Sequence, residues 1–143
     1  QPEDEAVNSH FVEYTSLGGF STESAIMVVE DDTDITELLI TAFEANGYPV
    51  IVASTVKRAR EILQEGGNRI GCVFVDVLLP DGSGIELLKE IREKDASMPL
   101  IAGSGYPIAP RDREYLKDNR IVFLQKPYSI DSLMLNLSTM LPT

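Results

Sequence analysis

From residue 25 onward, short apolar runs alternate with longer stretches in which apolar residues recur at helical spacing. The runs AIMVVE (25–30), YPVIVA (48–53), GCVFVD (71–76), MPLIAG (98–103) and IVFLQ (121–125) predict strands. The stretches between and after them predict helices. In the first, Ile35, Leu38, Leu39, Ala42 and Phe43 share a face, and Asn46-Gly47 stops it. The second runs from about Thr55 to Glu65 and breaks at Gly66-Gly67. The third opens at Ser83 to Glu86, whose S-x-x-E spacing fits a capping box, and turns Ile85, Leu88 and Ile91 inward. The fourth, after Pro107 and Pro110, is short and polar, and the last carries Ile130, Leu133, Met134, Leu137 and Leu141 at helical spacing.

Five strands alternating with five helices imply an α/β fold: a doubly wound, five-stranded parallel sheet between two helical layers. The reason is that right-handed crossovers cover both faces, and strands buried on both sides read as continuous apolar runs. In such sheets ligands gather beyond the carboxyl ends of the strands. Here the first strand ends in Glu30-Asp31-Asp32, the third in Asp76, the fourth in Gly103-Ser104-Gly105 and the fifth in Lys126-Pro127. Acids, a hydroxyl and an amine therefore converge on one edge.

Composition narrows the class. At 143 residues and 43% hydrophobic content the chain supports one domain with a real core. A net charge of -11 argues against a nucleic-acid surface, which needs a basic stripe, and against contact with anionic membrane. No run of 18 apolar residues and no charged-then-apolar leader occurs. Cys72 is the single cysteine, so no internal disulfide can form and a reducing cytoplasm is the simplest compartment. Residues 1–24 are acidic and polar, then Gly- and Ser-rich, and read as a tail or linker ahead of a domain over 25–143; the start at Gln1 reads as the cut end of something longer. His10, the one histidine, lies in that tail and carries no assigned role.

Asp76 poses the chemical question, because a carboxylate beside Val73, Phe74 and Val75 is costly to bury unless something pairs with it. Glu30, Asp31 and Asp76 crowded together would repel and raise one another's pKa unless a hard cation such as Mg²⁺ sat among their oxygens. Lys126 offers a compact positive charge for a phosphoryl oxygen and Ser104 a hydroxyl donor, which suits phosphoryl transfer with Asp76 as nucleophile.

These residues resemble a known family. VVEDD at the end of the first strand, VFVDVLLPDGSG around the third, SG after the fourth and QKPY after the fifth are similar to the response-regulator receiver domain of two-component signalling. The order and spacing hold from residue 25 to 141. The resemblance implies the flavodoxin-like strand order 2-1-3-4-5 and a phosphoacceptor at Asp76. It implies a metal site of Asp31, Asp76 and the Leu78 backbone carbonyl, with Glu30 acting through water. It makes Ser104 and Lys126 the phosphoryl partners, puts a proline of cis type after Lys126, and makes Ser104 and Phe123 the switch pair. Asp32 reads as a cap or first-turn acid of the first helix. The implied partners are a histidine kinase or a histidine phosphotransfer protein, with a dimer face on the fourth helix, fifth strand and fifth helix. A receiver of a hybrid histidine kinase and a standalone regulator both fit.

Plainer readings stand beside these. Asp31 and Asp32 can merely cap a helix, Ser104 between glycines can be a turn residue, Lys126 a solvated lysine, Phe123 core, and Asp81 in PDGSG a turn residue. A flavin module shares the layered sheet but wants a phosphate-cradling loop where this chain is acidic. A haloacid-dehalogenase-like phosphatase wants a second aspartate where Leu78 stands. A degenerate receiver acting only as an interaction module is the alternative nearest in kind.

Overall fold

The computed structural model describes residues 25–66 and 69–140. The tail over 1–24, Gly67 and Leu141 lie outside the described residues. Strand β1 (Ala25–Val29) leads to helix α1 (Thr33–Ala45), β2 (Val50–Ala53), α2 (Val56–Gly66) and β3 (Ile70–Asp76). A two-residue pair, β4 (Leu78–Leu79) and β5 (Gly82–Ser83), precedes α3 (Gly84–Lys94). Then come β6 (Leu100–Ser104), α4 (Pro110–Asp118), β7 (Val122–Gln125) and α5 (Ile130–Met140).

The main sheet has five strands in the order β2-β1-β3-β6-β7, all pairs parallel. Counting only the strands of that sheet, this is the expected 2-1-3-4-5 order. Side chains alternate across it. Met27, Val29, Val73, Val75 and Ala102 meet α2, α3 and α4 on one face, while Ile26, Val28, Phe74 and Ile101 meet α1 and α5 on the other. Each wholly buried Leu or Phe contributes on the order of 1.5–3 kcal/mol of apolar transfer. The two layers together make β1 and β3 the buried centre of the molecule.

Several boundaries move for local reasons. The second strand begins at Val50 and the fourth at Leu100, not at 48 and 98, because Pro49 and Pro99 have no N–H for the ladder. Both prolines still contribute acceptors, to Ile26 N at 2.8 Å and Val73 N at 3.0 Å. The fourth strand extends to Ser104 and so carries the hydroxyl itself. In α1, Leu39 and Phe43 are buried but Leu38 is exposed, so the helix is turned further than its apolar spacing suggested, with Thr36 and Ile40 toward the core. The β4–β5 pair was not predicted, since two-residue strands leave no periodic signal.

Capping is partly as expected. Asp32 Oδ1 accepts from Asp34 N at 3.0 Å and Ile35 N at 3.4 Å, which makes it the N-cap of α1. Ser83 caps α3 by accepting from Glu86 N at 3.4 Å. Helix α4 opens on Pro110 with no side-chain cap, consistent with its short, polar sequence.

Candidate functional site

Parallel pairing brings the ends of β1, β3, β6 and β7 to one edge. Asp76 is the last residue of β3 and pairs with Gly103, while the backbone N–H of Glu30 continues the ladder onto Ala53 at 3.0 Å. Both acids are buried, Glu30 at 1% and Asp76 at 3% exposure. Asp31, one residue on, is exposed. Carboxylate oxygens of Glu30, Asp31 and Asp76 all lie within 4.8 Å of one another. An all-oxygen donor set with one wall open to solvent fits a hard divalent cation such as Mg²⁺, and the cluster has none of the thiolates and imidazoles that zinc favours.

Lys126 enters this cluster from the loop after β7. Its backbone N–H donates to Ser104 O at 2.8 Å, and the following Lys126–Pro127 peptide is cis, as the family resemblance implied. Its ammonium donates to Asp76 Oδ2 at 2.9 Å and stands 3.2 Å from Glu30 Oε1. The remaining oxygen of Asp76 accepts from Leu78 N at 3.0 Å, and Glu30 Oε2 accepts from Asp32 N at 3.2 Å. Gly84 packs against the back of the site: a Cβ there would collide with the Asp76 carbonyl and lie 2.7 Å from Val77 Cα.

The charges are unbalanced, with three carboxylates against one ammonium. Burial, and next the neighbouring Asp76 carboxylate, push Glu30 up to about 7 against the pull of Asp32 N–H and Lys126. For Lys126, burial works against the charged form. The hydrogen bond to Asp76 and the charges of Glu30 and Asp76 prevail and hold its pKa above the ordinary lysine range.

Over the cluster opens a pocket of about 550 Å³, walled also by Leu78, Pro80, Gly105 and Tyr106. Leu78 and Tyr106 are 64% and 67% exposed, large apolar surfaces on either side of the acids. Ser104 is buried at the same edge, but its hydroxyl is engaged elsewhere. It donates to Tyr106 O at 2.6 Å and accepts from Tyr106 N at 3.0 Å, a tight local turn. Phe123 is half-buried on β7 with the Arg113 guanidinium 5.4 Å over its ring. Of the residues singled out from the sequence, Glu30, Asp31, Asp76, Leu78 and Lys126 therefore share one pocket, whereas Ser104 is not among its walls and Phe123 lines a separate cleft with Arg113, Leu116 and Ile121.

Two residues take parts that the sequence reading did not assign. Asp81 sits in the turn after Asp76, but its carboxylate accepts from Val56 N at 2.8 Å and Lys57 N at 3.1 Å and so caps α2 from across the chain. Those N–H bonds hold its pKa below the ordinary aspartate range. A separation of 25 residues leaves no local sequence signal for it. Tyr128, noticed only within QKPY, lies against Gly103 with its hydroxyl buried.

With this geometry in view, likeness to known proteins is specific. A family model described as the response regulator receiver domain matches residues 26–138. The sensor kinase CckA of Brucella abortus is 32% identical over 127 residues, which is 89% of this chain and 13% of that protein. The transcriptional regulatory protein FixJ of Bradyrhizobium diazoefficiens is 29% identical over 113 residues, 79% of this chain and 54% of that one. The chain thus spans at most about half the length of these two curated relatives. Among solved structures, a response regulator receiver domain protein from Clostridium thermocellum superposes with a TM-score of 0.75 at 25% identity, covering 82% of this chain and 93% of that one. The fold, the acidic edge and the sequence match agree: this chain belongs to the response regulator receiver domain family.

Proposed function

We propose that this domain takes a phosphoryl group from a phosphohistidine onto Asp76 and changes conformation in response. The observation that carries this reading is a buried Asp76 paired with Lys126 at 2.9 Å, with oxygens of Glu30 and Asp31 close by. A structural ion pair would not need two further acids beside it, because each raises the cost of burial. Asp31, Asp76 and the Leu78 carbonyl would hold Mg²⁺, with Glu30 assisting through water. When bound, that ion would supply positive charge to the phosphoryl oxygens.

Asp76 supplies the nucleophile: a carboxylate oxygen forms the bond to phosphorus as the P–N bond of the phosphohistidine breaks, and the imidazole nitrogen keeps the electron pair and takes a proton from water. Lys126, already on Asp76 Oδ2, exchanges the carboxylate for a phosphoryl oxygen. Ser104 leaves its turn with Tyr106 and donates its hydroxyl to the same group. Losing two hydrogen bonds at Tyr106 is what transmits the event, since the β6–α4 loop must rearrange. Phe123 then turns inward behind Ser104, and α4, β7 and α5 form the responding face, through which copies of the domain would pair. The partners on this reading are a histidine kinase or a histidine phosphotransfer protein in the cytoplasm, and not nucleic acid or membrane. Among the described residues, no helix is long and apolar enough to cross a membrane. The likeness to a sensor kinase favours a receiver carried within a hybrid kinase.

Beryllofluoride, which mimics an aspartyl phosphate, tests the reading. With Mg²⁺ present it should shift NMR resonances of Asp76, Ser104, Phe123 and α4 in the wild type and leave Asp76→Asn unchanged. Equal response of the two proteins would contradict it.

A further inference from the structure

The sheet register sets Asp76 beside Gly103, its Cα partner across β3 and β6. Glu30 follows Val29, the partner of Val75, so Glu30, Asp76 and Gly103 form a row directed to the face covered by α1 and α5. The first two are acids, and the third has no side chain. Tyr128 fills that place: a Cβ on Gly103 would collide with Tyr128 Oη and lie 2.8 Å from Cζ. An edge-to-face contact fixes the ring against Phe74, with centroids 5.1 Å apart and planes at 88°.

Phenylalanine would fill this cradle without burying a polar atom. The Tyr128 hydroxyl is buried and has no hydrogen-bond partner among the described residues. Glu30 Oε1, on the same row, is also buried without a hydrogen bond, facing only the charge of the Lys126 ammonium at 3.2 Å. A buried donor without a partner therefore stands on the same row as a buried acceptor that is held only by the Lys126 ion pair. Burial, and then the charges of Asp76 and Glu30, raise the phenol's pKa well above its ordinary value, so it keeps its proton and stays a donor throughout the physiological range.

We propose that Tyr128 is a positioning residue whose hydroxyl, seated in the gap left by Gly103, donates to the Glu30–Asp76 carboxylate pair once Lys126 is drawn away from it, holding both acids in their metal-binding arrangement. The proposal rests on the reading of this pair as a metal and phosphoryl site. Lys126 now bridges the pair, and a divalent cation entering between these carboxylates would repel its ammonium and leave them short of a donor. A neutral hydroxyl can replace that bond without adding a positive charge that would repel the cation. Gly103 and Tyr128 act together here, since a side chain at 103 would expel the hydroxyl.

The test is calorimetric titration of the whole chain with MgCl₂, paired with thermal midpoints in chelator, for the wild type, Tyr128→Phe and Gly103→Ala. Tyr128→Phe should keep or raise the metal-free midpoint, because it deletes an unpaired buried group. Its Mg²⁺ affinity should fall about 10-fold, the scale at which groups that orient metal ligands act. Gly103→Ala should show the same loss of affinity while retaining the phenol. Unchanged Mg²⁺ affinity in Tyr128→Phe overturns the proposal. So does a lowered metal-free midpoint in that variant, which would mean that the hydroxyl already serves the free fold. A wild type that binds Mg²⁺ but accepts no phosphoryl group on Asp76 contradicts the proposed function, and the titration still decides the role of Tyr128. A wild type that binds no Mg²⁺ overturns both.

Discussion

Three consecutive acids at the end of β1 have three environments. Glu30 is buried beneath the ammonium, Asp31 faces solvent and Asp32 caps α1. Glu30 therefore carries a pH signature. Its pKa is about 7 in the fold against an ordinary 4.5, so the metal-free fold gains stability from its protonation. That contribution is complete below about 4.5 and is lost as pH climbs through about 7. In chelator, the melting temperature of Glu30→Gln should fall less than that of the wild type between about pH 5 and about pH 8. Equal slopes in differential scanning would show that Glu30 titrates normally. Mg²⁺ affinity should run the other way and strengthen through the same window, because a proton competes with the cation. Under the proposed function, Leu78 and Tyr106 would bear on the lifetime of the phosphoryl group. Both are largely exposed at the mouth of the pocket, and an apolar Leu holds no water by hydrogen bonding. On the proposed function, Leu78→Asn should lose its phosphoryl group about 10-fold faster, or ~1.4 kcal/mol of barrier, with Mg²⁺ affinity little changed since the proposed ligand is a backbone carbonyl. Decay of phospho-Asp76 after donor removal measures this, and an equal or slower rate would refute shielding by Leu78.

Among the elements, the link between the site and its surroundings runs through Asp81. It belongs to the β4–β5 turn that leaves Asp76, yet it caps α2, so the loop beside Asp76 and the N-terminus of α2 are held by one carboxylate. Asp81→Ala should lower the urea midpoint and speed amide exchange at Val56 and Lys57, with exchange in α5 unaffected. Protection unchanged at both amides would remove this cap from the account. The strands were legible in the sequence because each is a run of apolar residues, and their alternation with helices implied a parallel sheet. What was not legible depends on contacts between distant segments. The cap by Asp81 spans 25 residues, the exposure of Leu38 depends on how α1 rolls onto the sheet, and the engagement of Ser104 by Tyr106 requires the loop geometry. Prolines 49 and 99 could have trimmed two strands from the sequence alone, since neither can donate to a ladder.

Over the whole molecule, the two apolar layers bury β1 and β3 at the centre, and the paired charges of Glu30, Asp76 and Lys126 stand at the carboxyl ends of those strands and the loop after β7. The fold thus provides a stable frame on which one edge can change. The central claim is that this edge accepts a phosphoryl group at Asp76. Its most direct measurement is intact-mass spectrometry of the chain after incubation with acetyl phosphate and Mg²⁺, beside Asp76→Ala and beside the wild type in chelator. One added phosphoryl group is expected on the wild type with Mg²⁺ and none in the other two samples. Equal labelling of Asp76→Ala, or of the wild type in chelator, would contradict it.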